Sequence, residues 1–185
     1  MLRVLAISGS LRHGSHNGAL LQAAAPLLPH GFELNHWTGL ARLPHYSEDD
    51  DAHPAPARVA GLRAELREAD ALLISTPEYN GSIPGALKNA LDWASRPFAT
   101  NPLRGKPVAV IGASTGMFGA VWAQAELRKV LTTIGARVVD RELPVPHAHE
   151  RVDAGGRLLD ADLREELASM LATLVASIPC PATTP

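Results

Sequence analysis

The chain has 185 residues, 46% of them hydrophobic and 19% charged, which fits a single domain with a sizeable core and excludes an intrinsically disordered chain. With 17 Lys and Arg against 19 Asp and Glu, the formal net charge of −2 gives no footprint for duplex nucleic acid or an anionic membrane, so any anion must be recognised locally. The single cysteine, Cys180, lies in a Pro/Thr-rich tail, which excludes an intramolecular disulfide and a cysteine-based metal cluster and argues against a thiol nucleophile. The first residues pass from a short apolar stretch directly into a glycine loop and read as a strand, not a signal peptide. No apolar run approaches a membrane span, and the expected compartment is the cytoplasm.

In chain order, short β-branched or leucine-rich runs at residues 4–7, 32–37, 71–76, 108–113 and 137–140 alternate with stretches of helical periodicity. That alternation predicts a doubly wound α/β fold, with a parallel sheet covered on both faces. The helix after the first strand meets Pro26 and Pro29, which end or kink it early. Residues 38–56 form one long irregular segment containing Pro44, Pro54, Pro56 and the run Glu48-Asp49-Asp50-Asp51, read as solvated loop with no chemistry assigned. Further helical faces are carried by Val59, Leu62 and Leu66, by Leu87, Ala90, Leu91 and Ala94, and by Leu127, Val130, Leu131 and Ile134. Gly135 stands where a helix C-cap is expected. A last helix starts near Asp160 or Asp162, giving five strands and five helices in one domain over residues 1–178, with a flexible tail at 179–185.

The first strand delivers Ser8-Gly9-Ser10-Leu11-Arg12-His13-Gly14-Ser15-His16-Asn17-Gly18, the place where a doubly wound sheet puts its anion site. Ser10, Arg12, Ser15 and Asn17 supply donors suited to phosphate oxygens, and no Asp or Glu occurs before Glu33. A Gly/Ser-rich turn with an exposed arginine is the plain alternative. Gly9 and Gly14 have the P-loop spacing, yet Ser15 stands where that loop needs lysine, which disfavours a nucleoside triphosphate. The G-x-G-x-x-G pattern and an acid at the end of the second strand are also missing, which disfavours a tightly held dinucleotide. What remains is a terminal phosphate monoester, as in a mononucleotide such as FMN.

After the third strand comes Pro77-Glu78-Tyr79-Asn80-Gly81-Ser82-Ile83-Pro84-Gly85-Ala86-Leu87-Lys88-Asn89-Ala90-Leu91-Asp92-Trp93. With the first loop, this segment resembles the NADPH-dependent FMN reductase family, through its G-S-x-R-x-G-S-x-N and P-E-Y-N-x-S-x-P-G-x-L-K-N-x-x-D-W patterns. The resemblance implies a three-layer flavodoxin-like fold with a five-stranded parallel sheet in the order 2-1-3-4-5. It implies that Ser10, Arg12, Ser15 and Asn17 hold the FMN phosphate, and that Pro77, Glu78, Tyr79, Asn80, Gly81 and Ser82 run along the ribityl chain and ring. Ser114 and Gly116, in the glycine-rich loop after the fourth strand, would approach the pyrimidine side. A helix-capping surface turn is the plain alternative for the second loop, and a simple connection for the third.

The activity so implied is hydride transfer from NADPH or NADH to FMN and onward to an acceptor such as a quinone, free flavin, azo dye or metal oxyanion, with ping-pong kinetics, no catalytic side chain and no metal. Family relatives pair through the helices carrying Trp93 and Trp122, which implies a homodimer or homotetramer, although a core role for each tryptophan fits as well. His147 and His149 are expected in exposed loop, and His13 and His16 flank the phosphate loop. A flavodoxin-type electron carrier is the competing reading; such carriers are typically strongly acidic, and a net charge of −2 argues against one. A hydrolase or transferase on the same fold lacks its nucleophile or lysine near residues 9–14.

Overall fold

Alternation along the strands decides how the sheet is covered. In β1 (Leu2–Ser8), β3 (Ala71–Thr76) and β4 (Pro107–Ala113), Leu5, Ile7, Leu72, Ile74, Val108 and Val110 enter one apolar layer while Val4, Ala6, Leu73, Ala109 and Ile111 enter the other. These strands are therefore apolar on both faces and must be covered twice. The structure, a computed structural model, describes residues 1–179 apart from His53 and Ala154; residues 180–185 of the predicted tail, Cys180 among them, lie outside the described residues.

Helices α2 (Ala57–Glu68), α3 (Gly85–Ala94) and α4 (Val121–Ile134) close one face, and α1 (His16–Ala24) and α6 (Ala161–Ala176) the other. With β2 (Phe32–Trp37) and β5 (Arg137–Val138), the sheet runs in the order β2-β1-β3-β4-β5, all parallel, as a flavodoxin-like α/β fold. The chain reverses direction of travel across the sheet between β1 and β3, so the loops leaving these two strands diverge and open a crevice at their C-terminal ends.

Local signals explain several boundaries. Ser15 caps α1 by accepting from the backbone N–H groups of Asn17 and Gly18, and the helix gives way at Ala25 to a 3-10 turn containing Pro26. Asp160 caps α6 in the same way, and Gly135 closes α4 with φ of 99°.

Three features differ from the sequence expectation, and a fourth, at Trp93, decides between two readings it left open. The fifth strand is split: β5 ends at Val138, the chain bows outward through Asp140, Arg141 and Glu142, and a second short strand, β6 (Pro144–Val145), rejoins the far end of β4. The buried Gln124 side chain bridges that break, accepting from the Leu143 N–H and donating to the Gly119 carbonyl. His149 lies in a short extra helix, α5 (Ala148–Arg151), preceded by His147, although both histidines are exposed as expected. Trp93 is wholly buried within the protomer, its indole N–H donating to the Pro44 carbonyl, so it belongs to the core and not to a subunit contact. Asp51, at the end of the acidic run, leaves the solvated face and pairs at 2.8 Å with the buried Arg63, which also donates to the Trp93 carbonyl. With Asn89 bonding both Tyr46 and Pro44, this ties the long segment down onto α2 and α3. No helix among the described residues is long and apolar enough to cross a membrane.

Candidate functional site

Three loops leave the C-terminal edge of the sheet and converge on one cleft of about 390 Å³. The first, between β1 and α1, is pulled against β3 by the Gly9 N–H, which donates to the Ser75 carbonyl at 2.8 Å. A Cβ on Gly9 would lie 3.0 Å from Leu87 and 3.3 Å from Pro77, so close packing of the first two loops depends on glycine there. Within the loop Ser8 and Ser10 hydroxyls bind neighbouring backbone groups, and Gly14 turns the chain with φ of 63° into the Ser15 cap. The result is a concave run of main chain at a helix N-terminus with hydroxyls and the Arg12 guanidinium around it, a phosphate-sized donor set.

Asn17, expected at the phosphate, is also tied into the framework of the fold. Its carboxamide is buried, donating to the Ala113 carbonyl at 2.9 Å and accepting from the Ala113 N–H at 3.0 Å and the Ser75 hydroxyl at 2.8 Å. It lines the cleft floor while clamping β3, β4 and α1 together. Its carboxamide atoms serve that clamp.

The second loop is built on a two-residue hairpin. Asn80 (φ 54°) and Gly81 (φ 74°) both occupy left-handed backbone, and Tyr79 and Ser82 exchange backbone hydrogen bonds at 3.0 and 3.1 Å across them. This is the tight turn that an Asn-Gly pair favours. Glu78 reaches from this loop to the start of α4, where its carboxylate accepts from the Trp122 and Ala123 N–H groups at 3.0 and 3.1 Å. Ala120, in left-handed backbone, offers α4 no side-chain cap, so Glu78 supplies one from 44 residues away. In the third loop Ser114 accepts from the Gly116 N–H and is bound through its backbone to Val145 and Ala148. Gly119 has φ of 58°, and a Cβ there would sit 2.6 Å from the Val145 nitrogen.

Ser10, Arg12, Ser15, Asn17, Pro77, Glu78, Tyr79 and Ser114 thus line one cleft, while Asn80, Gly81, Ser82 and Gly116 shape the loops behind it. Sequence reasoning missed Ala113 and Thr115, which complete the wall, and gave His16 only a flanking role. A β-strand terminus followed by a small residue carries no chemical signature, so the first two had no signal to follow. Burial, and after it the neighbouring Arg12, lowers the proton affinity of His16. Tyr79, Met117, Phe118 and Trp122 remain exposed at the rim, with the Phe118 and Trp122 rings 4.8 Å apart.

Fold and site together define a flavodoxin-like protein with a mononucleotide-sized cleft at the switch point of its sheet. The family model for NADPH-dependent FMN reductases matches residues 2–150, and the chain belongs to that family. It is 45% identical over 174 residues to an NAD(P)H-dependent FMN reductase of Pseudomonas aeruginosa, covering 94% of this chain and 93% of that one. It is 40% identical over 172 residues to a 2-hydroxy-1,4-benzoquinone reductase of a Burkholderia species, covering 92% of each. Among solved structures, the flavoenzyme NAD(P)H:(acceptor) oxidoreductase of Paracoccus denitrificans superposes with a TM-score of 0.84 at 36% identity, covering 96% of this chain and 97% of that one. The chain is accordingly an oxidoreductase of the FMN and NAD(P)H-dependent type.

Proposed function

We propose that the three-loop cleft holds FMN as the working cofactor, that NADPH or NADH delivers hydride to it, and that a small flat acceptor of the quinone class removes the electrons in turn. The observation that carries this reading is the composition of one continuous cleft: hydroxyls, a guanidinium and a helix N-terminus at one end, and Tyr79 with the main chain of the Asn-Gly hairpin at the other. Those two ends suit a phosphate monoester and a planar heterocycle. Bound FMN supplies a hydride-accepting ring position. Ser10, Arg12 and Ser15 would hold the phosphate, and the main chain of the hairpin would lie along the ring, an arrangement that needs no titrating side chain. The rim of Tyr79, Met117, Phe118 and Trp122 favours a flat apolar acceptor over a metal oxyanion. The name of the Burkholderia relative supports the same class. The same rim, continuous with α4, is the face by which two copies would pair as a homodimer in the cytoplasm.

The test is the absorbance spectrum of protein loaded with FMN, freed of excess and then mixed anaerobically with NADPH or NADH. A retained flavin band that bleaches supports the reading, and subsequent reoxidation by a benzoquinone identifies the acceptor class. Retention without bleaching by either nicotinamide assigns the chain to electron carriage instead.

A further inference from the structure

The third loop supplies Ala113, Ser114 and Thr115 to the cleft wall, yet it contains no helix or strand between the end of β4 at Ala113 and the start of α4 at Val121. Thr115, Gly116, Met117 and Phe118 are exposed, so no core holds them. The loop is held at its two ends instead, and at each end by a buried carboxamide. Asn17, 3% exposed, grips Ala113 by both of its backbone groups. Gln124, with no exposed surface, donates from Nε2 to the Gly119 carbonyl at 3.1 Å. Its Oε1 accepts from the Leu143 N–H, also at 3.1 Å, where the chain enters β6. From there the chain braces the loop along its length. The Ser114 N–H donates to the Val145 carbonyl at 3.1 Å, and the His147 and Ala148 N–H groups donate to the Gly116 and Ser114 carbonyls at 3.2 and 3.0 Å. One side chain therefore ties down both the far end of the loop and the foot of its brace.

The space around that side chain is shaped to keep it. A Cβ on Gly112 would lie 2.8 Å from the Gln124 Nε2, and one on Gly119 2.6 Å from the Val145 nitrogen, so two glycines make room for the tie and for the brace. An apolar side chain of the same length would fill the space but leave the Gly119 carbonyl and the Leu143 N–H buried without partners. Gln124 stands outside the cleft lining, so any effect on a ligand passes through the loop. We propose that Gln124 is a positioning residue of the flavin site: it fixes where the third loop stands, and so how closely Ser114 and Thr115 approach a bound ring and where Phe118 stands at the rim. This rests on the functional reading above, because the ligand whose fit is set is FMN.

The test compares Gln124→Met, which keeps the volume and removes both bonds, with Leu66→Ala, a core truncation on α2, a helix that contributes no residue to the cleft lining. Both lower stability, but only the first releases the loop. Gln124→Met should raise the FMN dissociation constant about tenfold in fluorescence titration and raise KM for a benzoquinone more than it lowers kcat. The visible absorption of the bound flavin should move toward that of free FMN. Hydrogen exchange in the flavin-free protein should quicken for residues 114–119 and for the Leu143 amide. Leu66→Ala should leave flavin affinity within about twofold and the flavin spectrum unshifted. If Gln124→Met does not fold, Gln124→Asn, one methylene shorter and able to reach only one of the two backbone groups, replaces it with the same readouts. Faster loop exchange with unchanged flavin affinity and spectrum would make Gln124 a structural residue only, unchanged exchange would remove the tie itself, and an equal loss of affinity in Leu66→Ala would trace the effect to stability; each overturns the assignment. An unaltered protein that retains no FMN fails the functional reading on its own, and the exchange measurement then still upholds or overturns the hold of Gln124 on the loop.

Discussion

Asn17 shows how one side chain serves fold and site at once. Three hydrogen bonds from a single buried carboxamide join α1 to the ends of β3 and β4. Removing it leaves the Ala113 N–H, its carbonyl and the Ser75 hydroxyl buried without partners, and each unsatisfied group costs about 1 kcal/mol or more. Asn17→Ala should therefore destabilise the protein by about 3 kcal/mol in urea titration and weaken FMN binding, whereas Asn17→Asp places a carboxylate against the Ala113 carbonyl and should be at least as damaging. An exposed phosphate ligand would show lost affinity with nearly unchanged stability. His16 sits above the same floor and carries a pH signature. Its proton affinity in the folded chain lies below the unfolded value, so the unfolded state takes up the proton first and the free protein loses stability as pH falls below about 6.5, until the folded-state group titrates in turn. A phosphate dianion beside it reverses the shift. FMN binding near pH 6.5 should then be accompanied by proton uptake, measured by calorimetry in buffers of different ionisation enthalpy, and His16→Gln should remove that share of the uptake that does not come from the phosphate itself.

At the scale of elements, the second loop and α4 depend on each other through Glu78. Glu78→Ala strips α4 of its charged cap and should cost about 1–2 kcal/mol in thermal or urea unfolding. Because the same residue anchors the hairpin bearing Tyr79, Asn80 and Gly81, flavin affinity should fall with it, and Glu78→Gln, which still offers an acceptor, should recover part of both. This coupling also marks the limit of what the chain discloses when read as letters. Strand and helix periodicities, the Ser15 and Asp160 caps, the Asn-Gly turn and the Gly135 terminus all follow from neighbours a few residues apart. Glu78 on α4, Gln124 across the split fifth strand, and Asp51 on Arg63 are pairings between distant segments. Periodicity carries no trace of them. Nothing in the residues after Val138 announces that the strand leaves β4 and returns, because the bridging side chain comes from the preceding helix.

For the whole molecule, the exposed aromatic rim sets the remaining question, because a flavin lying in an open cleft needs its ring covered. Phe118 and Trp122 are 55% and 50% exposed, their rings tilted at 59° with centroids 4.8 Å apart, at the junction of the third loop with α4. A patch of this kind beside a cofactor cleft is the expected centre of a subunit interface, where a single buried aromatic contributes 2 kcal/mol or more, about thirtyfold in dissociation constant. Sedimentation at micromolar concentration should show a dimer. Trp122→Glu should shift it toward monomer, because introducing a carboxylate at the centre of the contact adds a desolvation cost to the lost packing. Trp122 lies on the outer face of α4, away from the layer that Ala123, Leu127 and Leu131 bury, so the folded monomer should survive with unchanged unfolding behaviour when followed at low concentration. If the second copy covers the flavin, the variant should also lose FMN in proportion to its dissociation. A variant that becomes monomeric with full flavin affinity would leave each cleft complete within its own chain, and one that stays dimeric would move the interface away from this rim.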